Sequence, residues 1–298
     1  MTPAHQLTLN LSGRLVSLEK PLVMGIVNVT PDSFFAGSRI DGAKALRERL
    51  DTLVREGAAL ADLGAYSSRS GAEEVSPEEE RRRLRPALQI LRDEYPDLPV
   101  SVDTFRSDVA RMAVEEYGVA MINDISGGGL DPAMYRTMAE LQVPYILMHM
   151  KGDPKTMQQQ ASYSDVTLEV IDYFAQRVGQ LLELGVHDII LDPGFGFSKT
   201  TAQNYELLAQ LGSLVDAFTQ PLLVGVSRKS MIYRPLGITP EEALNGTTVL
   251  HALALERGAK ILRVHDVRPA VEAVQLYEEL RPALRSGEGL HYQHLRPL

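Results

Sequence analysis

The chain has 298 residues, and 44% of them are hydrophobic, which is enough apolar material for two ordinary domains or one large α/β barrel. It has no cysteine, which excludes disulfide bonds and thiolate zinc sites and favours the cytoplasm. The net charge of −9 argues against nucleic acid as a partner, although a local cluster of Arg and Lys still suits a small anion. We expect no membrane segment, because no apolar run approaches 18 residues and the N-terminus lacks a signal pattern.

Residues 1–20 are weakly patterned, and we expect an entry strand or hairpin that covers one end of the fold. After them, apolar runs of strand length alternate with amphipathic stretches of helical length. Strands are predicted at 22–29, 59–63, 100–102, 120–125, 145–148, 189–191, 222–226 and 261–264. Helices are predicted at 43–56, 77–94, 107–117, 131–141, 166–184, 205–211, 241–257 and 269–280.

Helix boundaries are marked by capping residues. Ser76-Pro77 is a typical helix start, with an N-cap followed by proline, and Thr239-Pro240 repeats the pattern. The predicted helix ends carry glycine at Gly57, Gly118, Gly185 and Gly258.

Eight strands that alternate with eight helices predict an α/β fold, a single-domain (β/α)8 TIM barrel. We place the barrel at 21–281 and a C-terminal tail at 282–298. An open doubly wound sheet is the alternative, but the turn after the first strand, residues 28–33, lacks the glycine-rich dinucleotide motif.

Barrel enzymes build their active site at the carboxyl ends of the strands. The seventh predicted strand runs directly into Ser227-Arg228-Lys229-Ser230, a group of cations and hydroxyls that suits an anion or a planar polar ring. Three other strands end in acceptors and an amide, which suit the edge of a flat amino-pyrimidinone heterocycle: Asp103, Asn123 and Asp192.

Other strand ends suggest an anion site. Arg263 and His265 leave the last strand on one face, where barrels often bind phosphate. Asn28 is a neutral oxygen ligand that would join substrate phosphates on Mg²⁺. Phe195 and Phe197 would form an aromatic wall against a ring.

Several polar residues have a structural interpretation instead. An Asp or Asn at a strand end often caps a helix or forms a turn. His149, which lies between two methionines, is expected to be a packed, hydrogen-bonded histidine, and Asp62 a buried structural group. Asp124 and Asp266 are expected to orient their neighbours.

With these stretches in view, the chain resembles dihydropteroate synthase, a folate-pathway family, from Gly25 to about Val267. The motifs that carry the resemblance are NVTPDSF (28–34), DLGAYSSR (62–69), SVDT (101–104), INDISG (122–127), LMHM (147–150), TMQ (156–158), LDPGFGF (191–197), GVSRKS (225–230) and RVHDV (263–267). Several motifs in the right order make this a specific signal.

The resemblance implies a cytoplasmic, homodimeric (β/α)8 barrel that condenses 6-hydroxymethyl-7,8-dihydropterin diphosphate with 4-aminobenzoate and that sulfonamides target. Pterin-binding residues would be Asp103, Asn123, Asp192 and Lys229. The diphosphate and Mg²⁺ would be held by Asn28, which is the metal ligand, with Arg263 and His265. The aminobenzoate would be surrounded by Ser68, Arg69, Phe197, Lys229 and Ser230. The catalytic residues would be Asp103, Lys229, Arg263 and His265.

Two positions depart from the family pattern. Ala36 replaces an acid in the first loop, which affects metal assistance from that loop. Ser70 replaces a proline in the second loop, and we expect weaker ordering of the aminobenzoate and an altered response to sulfonamides. Two alternatives remain: a barrel that transfers methyl groups from methyltetrahydrofolate to a corrinoid protein, and a pterin-binding relic with weakened catalysis.

Overall fold

The computed structural model describes residues 7–29, 39–66 and 75–287. The strands are β1 (Thr8–Leu11), β2 (Arg14–Ser17), β3 (Leu22–Asn28), β4 (Leu60–Gly64), β5 (Val100–Asp103), β6 (Met121–Asp124), β7 (Tyr145–Met148), β8 (Ile189–Asp192), β9 (Leu223–Val224) and β10 (Ile261–Val264). The helices are α1 (Arg39–Glu56), α2 (Pro77–Glu94), α3 (Ser107–Tyr117), α4 (Met134–Leu141), α5 (Val166–Glu183), α6 (Thr201–Ala209), α7 (Leu211–Ala217), α8 (Ser230–Leu236), α9 (Leu244–Glu256) and α10 (Val267–Gly287).

The strands β3 to β10 form a closed parallel barrel. They pair in the order β8-β7-β6-β5-β4-β3-β10-β9, and a parallel bridge between Leu191 and Leu222 joins the two ends. The main apolar layer lies between these strands and the surrounding helices, and it includes Val27, Leu50 and Leu84. The predicted (β/α)8 barrel is therefore confirmed.

A hairpin closes the amino end of the barrel. Strands β1 and β2 pair in antiparallel fashion, with Thr8 opposite Ser17. Leu9, Leu11 and Leu18 are buried against side chains from the first half of the barrel strands, among them Met24 and Ile261. The entry hairpin expected within residues 1–20 is thus present in residues 8–17.

Some helix boundaries follow from their caps. Helices α2 and α3 have the predicted bounds, because the Ser76 hydroxyl accepts the Glu79 N–H at 3.2 Å and Gly118 adopts φ +70° at the end of α3. The predicted cap at Thr239 is wrong, since α9 begins at Leu244. The Arg228 guanidinium binds the carbonyl oxygens of Pro240 and Glu241, which holds this segment in a turn.

The structure also adds elements that were not predicted. Helices α7 and α8 are each only 7 residues long, so their periodicity was too short to detect. The last helix continues to Gly287, past the boundary placed at residue 281. Among the described residues, no helix combines the length and apolar character needed to cross a membrane.

Candidate active site

An arginine shared by two carboxylates lies at the carboxyl end of the barrel. Arg263, on β10, donates from Nε to Asp62 Oδ2 at 2.6 Å and from Nη2 to Asp103 Oδ2 at 2.8 Å. Burial opposes its charge, but the two carboxylates raise the pKa of Arg263 above its ordinary value. The guanidinium therefore stays charged, and its remaining N–H groups are available to a ligand.

Asp103 is poised between its two protonation states at neutral pH. Burial raises the pKa of Asp103 to about 7, although the nearby Arg263 lowers it. The carboxylates of Asp62, Glu80 and Asp124 add to the rise. Asp103 is therefore an acceptor above neutral pH and a donor below it.

Two buried acceptors beside this cluster have no protein partner in the described part of the chain. Asn123 donates from Nδ2 to Asp62 Oδ2 at 3.1 Å, which fixes the orientation of its amide. Asp62 Oδ1 and Asn123 Oδ1 are left without a hydrogen bond, although Asp62 is 0% and Asn123 is 2% exposed. Unpaired buried acceptors each cost about 1–3 kcal/mol, so this pair points to a ligand that brings hydrogen-bond donors.

Asp192 and Lys229 lie at the same end and influence each other's pKa. The N–H of Gly194 donates to Asp192 Oδ1 at 2.8 Å. Burial raises the pKa of Asp192 while Lys229 opposes the rise. Burial also lowers the pKa of Lys229 to about 8, with Asp192 opposing, so that the lysine is only partly charged above neutral pH.

Lys229 lies between the charged cluster and an aromatic ring. Its Nζ contacts the carbonyl oxygen of Phe195 and lies 4.7 Å from the centre of the Phe197 ring. A Cβ atom placed on Gly225 would lie 3.8 Å from Lys229 Nζ and 3.9 Å from Arg263 Cβ. Gly225 is therefore a neighbour of both residues that carry these cations.

Asn28 faces the same space beside Asp103. A Cβ atom placed on Gly64 would lie 3.6 Å from Asn28 Oδ1 and 3.8 Å from Asp103 Oδ2. Within the described residues, no cluster of three or more His, Cys, Asp or Glu forms a metal cage. One or two protein oxygens fit Mg²⁺, which keeps most of its ligands from water and substrate phosphates.

His265 is held in a fixed orientation by Ser227. The Ser227 Oγ lies 3.0 Å from His265 Nδ1 and accepts the backbone N–H of His265 at 3.1 Å. Burial and then the charge of Arg263 lower the pKa of His265 to about 4, so the imidazole is neutral at pH 7. Because Nδ1 is engaged, Nε2 is the ring atom that a ligand can reach.

His149 is a packed histidine, as the sequence suggested. It is 1% exposed, its Nδ1 lies 2.9 Å from Lys199 Nζ, and its ring meets the Tyr173 ring edge-on at 4.7 Å. Asp124 is also structural, because it binds the hydroxyl groups of Ser126 and Tyr145. Both structural interpretations are confirmed.

Two residues near the predicted site do not contribute their side chains to it. Arg228 adopts φ +53° and binds both carboxylate oxygens of Asp266, at 2.7 and 2.9 Å, which turns it away from Lys229. Phe195 is 0% exposed and packs in the main apolar layer, so the aromatic wall predicted there is wrong; only Phe197 is half-buried at the site.

The residues predicted around the aminobenzoate are only partly described. Ser230 is half-buried at the first position of α8, next to Lys229. Ser68 and Arg69 lie outside the described residues, as do the departures at Ala36 and Ser70.

Two further residues shape the site without having been assigned to it from the sequence: Asp62 and Lys199. An aspartate within an otherwise apolar strand is a usable signal for Asp62, since a buried carboxylate needs a partner. No comparable signal marks Lys199.

The comparisons with known proteins agree with this geometry. The family model described as "Pterin binding enzyme" matches residues 24–265. The dihydropteroate synthase of Escherichia coli (strain K12) is 40% identical over 268 residues, which is 89% of this chain and 94% of that protein.

Two solved structures are similar over nearly their whole length. Dihydropteroate synthase of Yersinia pestis, in a complex with a sulfonamide drug, has a TM-score of 0.86 and 37% identity and covers 93% of this chain and 100% of its own. The enzyme of Xanthomonas albilineans in complex with 7,8-dihydropteroate has a TM-score of 0.81 and 39% identity, and the match covers 92% of this chain and 99% of that one.

Proposed function

The chain belongs to the dihydropteroate synthases, a family of pterin binding enzymes, and we propose that its strand-end site condenses 6-hydroxymethyl-7,8-dihydropterin diphosphate with 4-aminobenzoate. The products are 7,8-dihydropteroate and diphosphate. The observation that carries this proposal is the pair of unpaired buried acceptors, Asp62 Oδ1 and Asn123 Oδ1, beside a charged guanidinium. An amino-pyrimidinone edge supplies N–H donors for such acceptors, and a diphosphate accepts from the guanidinium.

The pterin ring is assigned to the deepest polar groups. Asp103, Asn123 and Asp192 line the barrel end as acceptors, and Lys229 donates beside Asp192. Asn123 and Asp192 are each fixed by a neighbour, because Asn123 is bound to Asp62 and Asp192 is bound to the Gly194 N–H. Prearranged buried partners of this kind discriminate strongly against rings that lack the matching donors.

The diphosphate is assigned to Arg263, His265 and Asn28. Arg263 offers the N–H groups that the two carboxylates do not use, and neutral His265 offers Nε2. Asn28 would hold Mg²⁺ through Oδ1, and that ion would offset negative charge on the departing diphosphate.

The aminobenzoate is assigned to the rim, on the Lys229 side. Phe197 and Ser230 are half-buried there and flank Lys229, which suits an aromatic ring that carries a carboxylate. Ser68 and Arg69 complete this part of the proposal.

The reaction needs no protein nucleophile. The C–O bond to the diphosphate breaks, and the electron pair leaves with the diphosphate while the electron-rich dihydropterin stabilises the methylene cation. The arylamine nitrogen then forms the new C–N bond and loses one proton. Arg263 and His265 stabilise the charge that develops on the leaving group, and the buried pterin contacts keep the cation in line with the amine.

Diphosphate release in the presence of Mg²⁺ and both substrates tests the proposal. Release that requires 4-aminobenzoate supports it, whereas tight pterin binding without release supports a relic, and methyl transfer from methyltetrahydrofolate supports the alternative barrel.

Asp103→Asn and Arg263→Ala are each expected to lower kcat/KM about 100-fold or more, because each removes a charged hydrogen-bond partner. The control Asp97→Asn, a fully exposed aspartate remote from the site, should be unaffected. Full activity of Asp103→Asn would contradict the pterin assignment.

We also propose that the chain works as a homodimer in the cytoplasm. Helices α9 and α10 pack side by side, and each exposes apolar residues spaced four apart. These residues are Val249 and Leu253 on α9, and Leu276, Leu280 and Leu284 on α10. Exposed apolar residues at this spacing on two neighbouring helices suit a second copy of the chain.

A further inference from the structure

A buried lysine that the reaction does not use lies behind the loop that follows β8. Lys199 is 3% exposed, and its Nζ lies 2.9 Å from His149 Nδ1, 3.1 Å from the Gly194 carbonyl oxygen and 3.2 Å from the Phe197 carbonyl oxygen. Burial lowers the pKa of Lys199 to about 7, and the ammonium form has one acceptor for each of its hydrogens. A lysine is rarely buried to this degree, and here every donor is used to fasten one short stretch of backbone.

The loop held by Lys199, residues 193–198, contacts Lys229 twice. The Phe195 carbonyl oxygen accepts from Lys229 Nζ, and the Phe197 ring lies 4.7 Å from the same atom. The carbonyl groups bound by Lys199, those of Gly194 and Phe197, lie on either side of Phe195. A shift of the loop therefore moves both neighbours of Lys229 together.

His149 provides the fixed end of this arrangement. It follows β7, its backbone N–H donates to the Asp192 carbonyl oxygen at 2.9 Å, and its ring packs against Tyr173. Burial and the neighbouring cations hold the pKa of His149 well below its ordinary value, so the ring is neutral and Nδ1 can accept from the ammonium. The loop also packs closely on this residue, since a Cβ atom on Gly194 would lie 2.1 Å from the His149 carbonyl oxygen.

We propose that Lys199 and His149 are positioning residues for the condensation: together they hold loop 193–198 so that the Phe195 carbonyl and the Phe197 ring place Lys229 between the two substrates. This inference rests on the proposed function for its effect on kinetics. The fixing of the loop can be measured without any turnover. Lys199 touches neither substrate in this account; it acts through the loop, and its charge also lowers the pKa of Asp192.

The central experiment compares Lys199→Met with Lys151→Met. Methionine keeps the length of the side chain and removes its donors, which leaves the Gly194 and Phe197 carbonyls unbound. Lys151 is a matched control, because its Nζ binds the Ser162 carbonyl and Glu169. Its contact with loop 193–198 is a backbone N–H that donates to Ser198 Oγ, which the substitution keeps.

We expect Lys199→Met to raise KM for 4-aminobenzoate about tenfold or more, and to lower the thermal unfolding midpoint because buried acceptors lose their donor. Lys151→Met should change this KM less than about twofold. A merely structural loss would reduce the active fraction, so that kcat falls while KM stays constant. A KM in Lys199→Met equal to that of the parent would overturn the inference.

Substitutions of His149 provide a second route if Lys199→Met does not fold. His149→Leu removes the acceptor and should reproduce the rise in KM, whereas His149→Gln retains an acceptor and should recover much of the loss. Equal kinetics for His149→Gln and His149→Leu would count against the pair.

Amide hydrogen exchange separates this inference from the proposed function. Peptides that cover residues 193–198 should exchange at least about tenfold faster in Lys199→Met than in Lys151→Met, measured without substrates. If the parent protein releases no diphosphate, the proposed function fails while the exchange result still tests the loop. Unchanged protection of 193–198 would refute the positioning role even in an active enzyme.

Discussion

Replacing Asp62 by asparagine removes one of the two carboxylates that share Arg263, and we expect the pH at which Asp103 ionises to fall. The shape of the side chain is kept, and the amide oxygen can still accept from Arg263 Nε at the place of Asp62 Oδ2. Two effects act in the same direction. The repulsion that Asp62 exerts on Asp103 disappears, and Arg263 then serves a single carboxylate.

The geometry sets the size of the effect. Carboxylates bound to neighbouring nitrogens of one guanidinium lie roughly 5 Å apart, and unit charges at this separation repel by about 3 kcal/mol at an effective dielectric constant of about 20. Since 1.36 kcal/mol corresponds to about one pH unit, the full repulsion would move the midpoint by about two. The Asp103 side chain is 19% exposed, which weakens the coupling, so we expect the midpoint to fall by about one to two pH units from its parent value of about 7.

The same change has a signature in stability. In the parent protein the folded pKa of Asp103, about 7, lies above the unfolded value, so its contribution to stability is present below about pH 4 and is lost as the pH rises to 7. The whole loss amounts to about 4 kcal/mol. In Asp62→Asn this pH-dependent loss should be smaller and should end at a lower pH, as measured by urea unfolding between about pH 4 and 7.5.

The assay is the affinity for 6-hydroxymethylpterin, which carries no phosphate, measured by fluorescence titration from about pH 5 to 7.5. Below its midpoint Asp103 is protonated and no longer accepts from the ring, so affinity should fall about tenfold per pH unit. The matched control is Asp266→Asn, which removes a carboxylate that is paired with Arg228 and does not act on Asp103. If the midpoint of the pH dependence of pterin affinity is the same in Asp62→Asn and in the control, then Asp62 does not raise the pKa of Asp103 and the reasoning is refuted.

Three further changes test other parts of the site. Ser227→Ala frees the His265 ring, and we expect KM for the pterin diphosphate to rise about tenfold while affinity for the unphosphorylated pterin is kept. Gly194→Ala introduces a Cβ atom 2.1 Å from the His149 carbonyl oxygen at φ +70°, so urea unfolding should show a loss of at least about 3 kcal/mol. Leu280→Glu places a charge in the exposed apolar surface of α10, and light scattering should show a monomer.

Each of these changes has a control elsewhere in the chain. Ser213→Ala changes the third residue of α7, which is not assigned to the site, and should leave both pterin measurements unchanged. Gly185→Ala shares a positive φ, +85°, but meets open space, so its cost should be only about 1 kcal/mol. Leu15→Glu changes a leucine that is 77% exposed on the hairpin, and a loss of the dimer in this variant would contradict the α9–α10 surface.

Much of the barrel follows from local patterns. The bounds of β7 and β10 match the prediction because each is an apolar run between turn residues, and those of α2 match because Ser76 and Pro77 mark its start. Helices α7 and α8 were not predicted, because one or two helical turns give no clear period of hydrophobic residues. The start of α9 was wrong because a distant guanidinium, that of Arg228, binds the preceding segment.

The site was predictable where strand order alone determines position. Asp103, Asn123 and Arg263 meet because parallel strands end at one rim, which requires no knowledge of side-chain conformation. Which of the adjacent cations, Arg228 or Lys229, faces the site depends instead on a positive φ at Arg228. The partners of Lys199 come from a different strand and loop. Such pairings are set by tertiary contacts and leave no local pattern in the sequence.

The β1–β2 hairpin closes the barrel at its amino end. The apolar layer around Leu9 and Leu18 fills the amino end of the barrel. Within the described residues, the substrates therefore reach the site from the carboxyl end. The groups assigned to the pterin, such as Asn123, are buried, while Phe197 and Ser230 are half-buried at the rim. With these subsite assignments, we expect steady-state kinetics to follow a compulsory order in which the pterin binds first and dihydropteroate leaves before a new pterin enters.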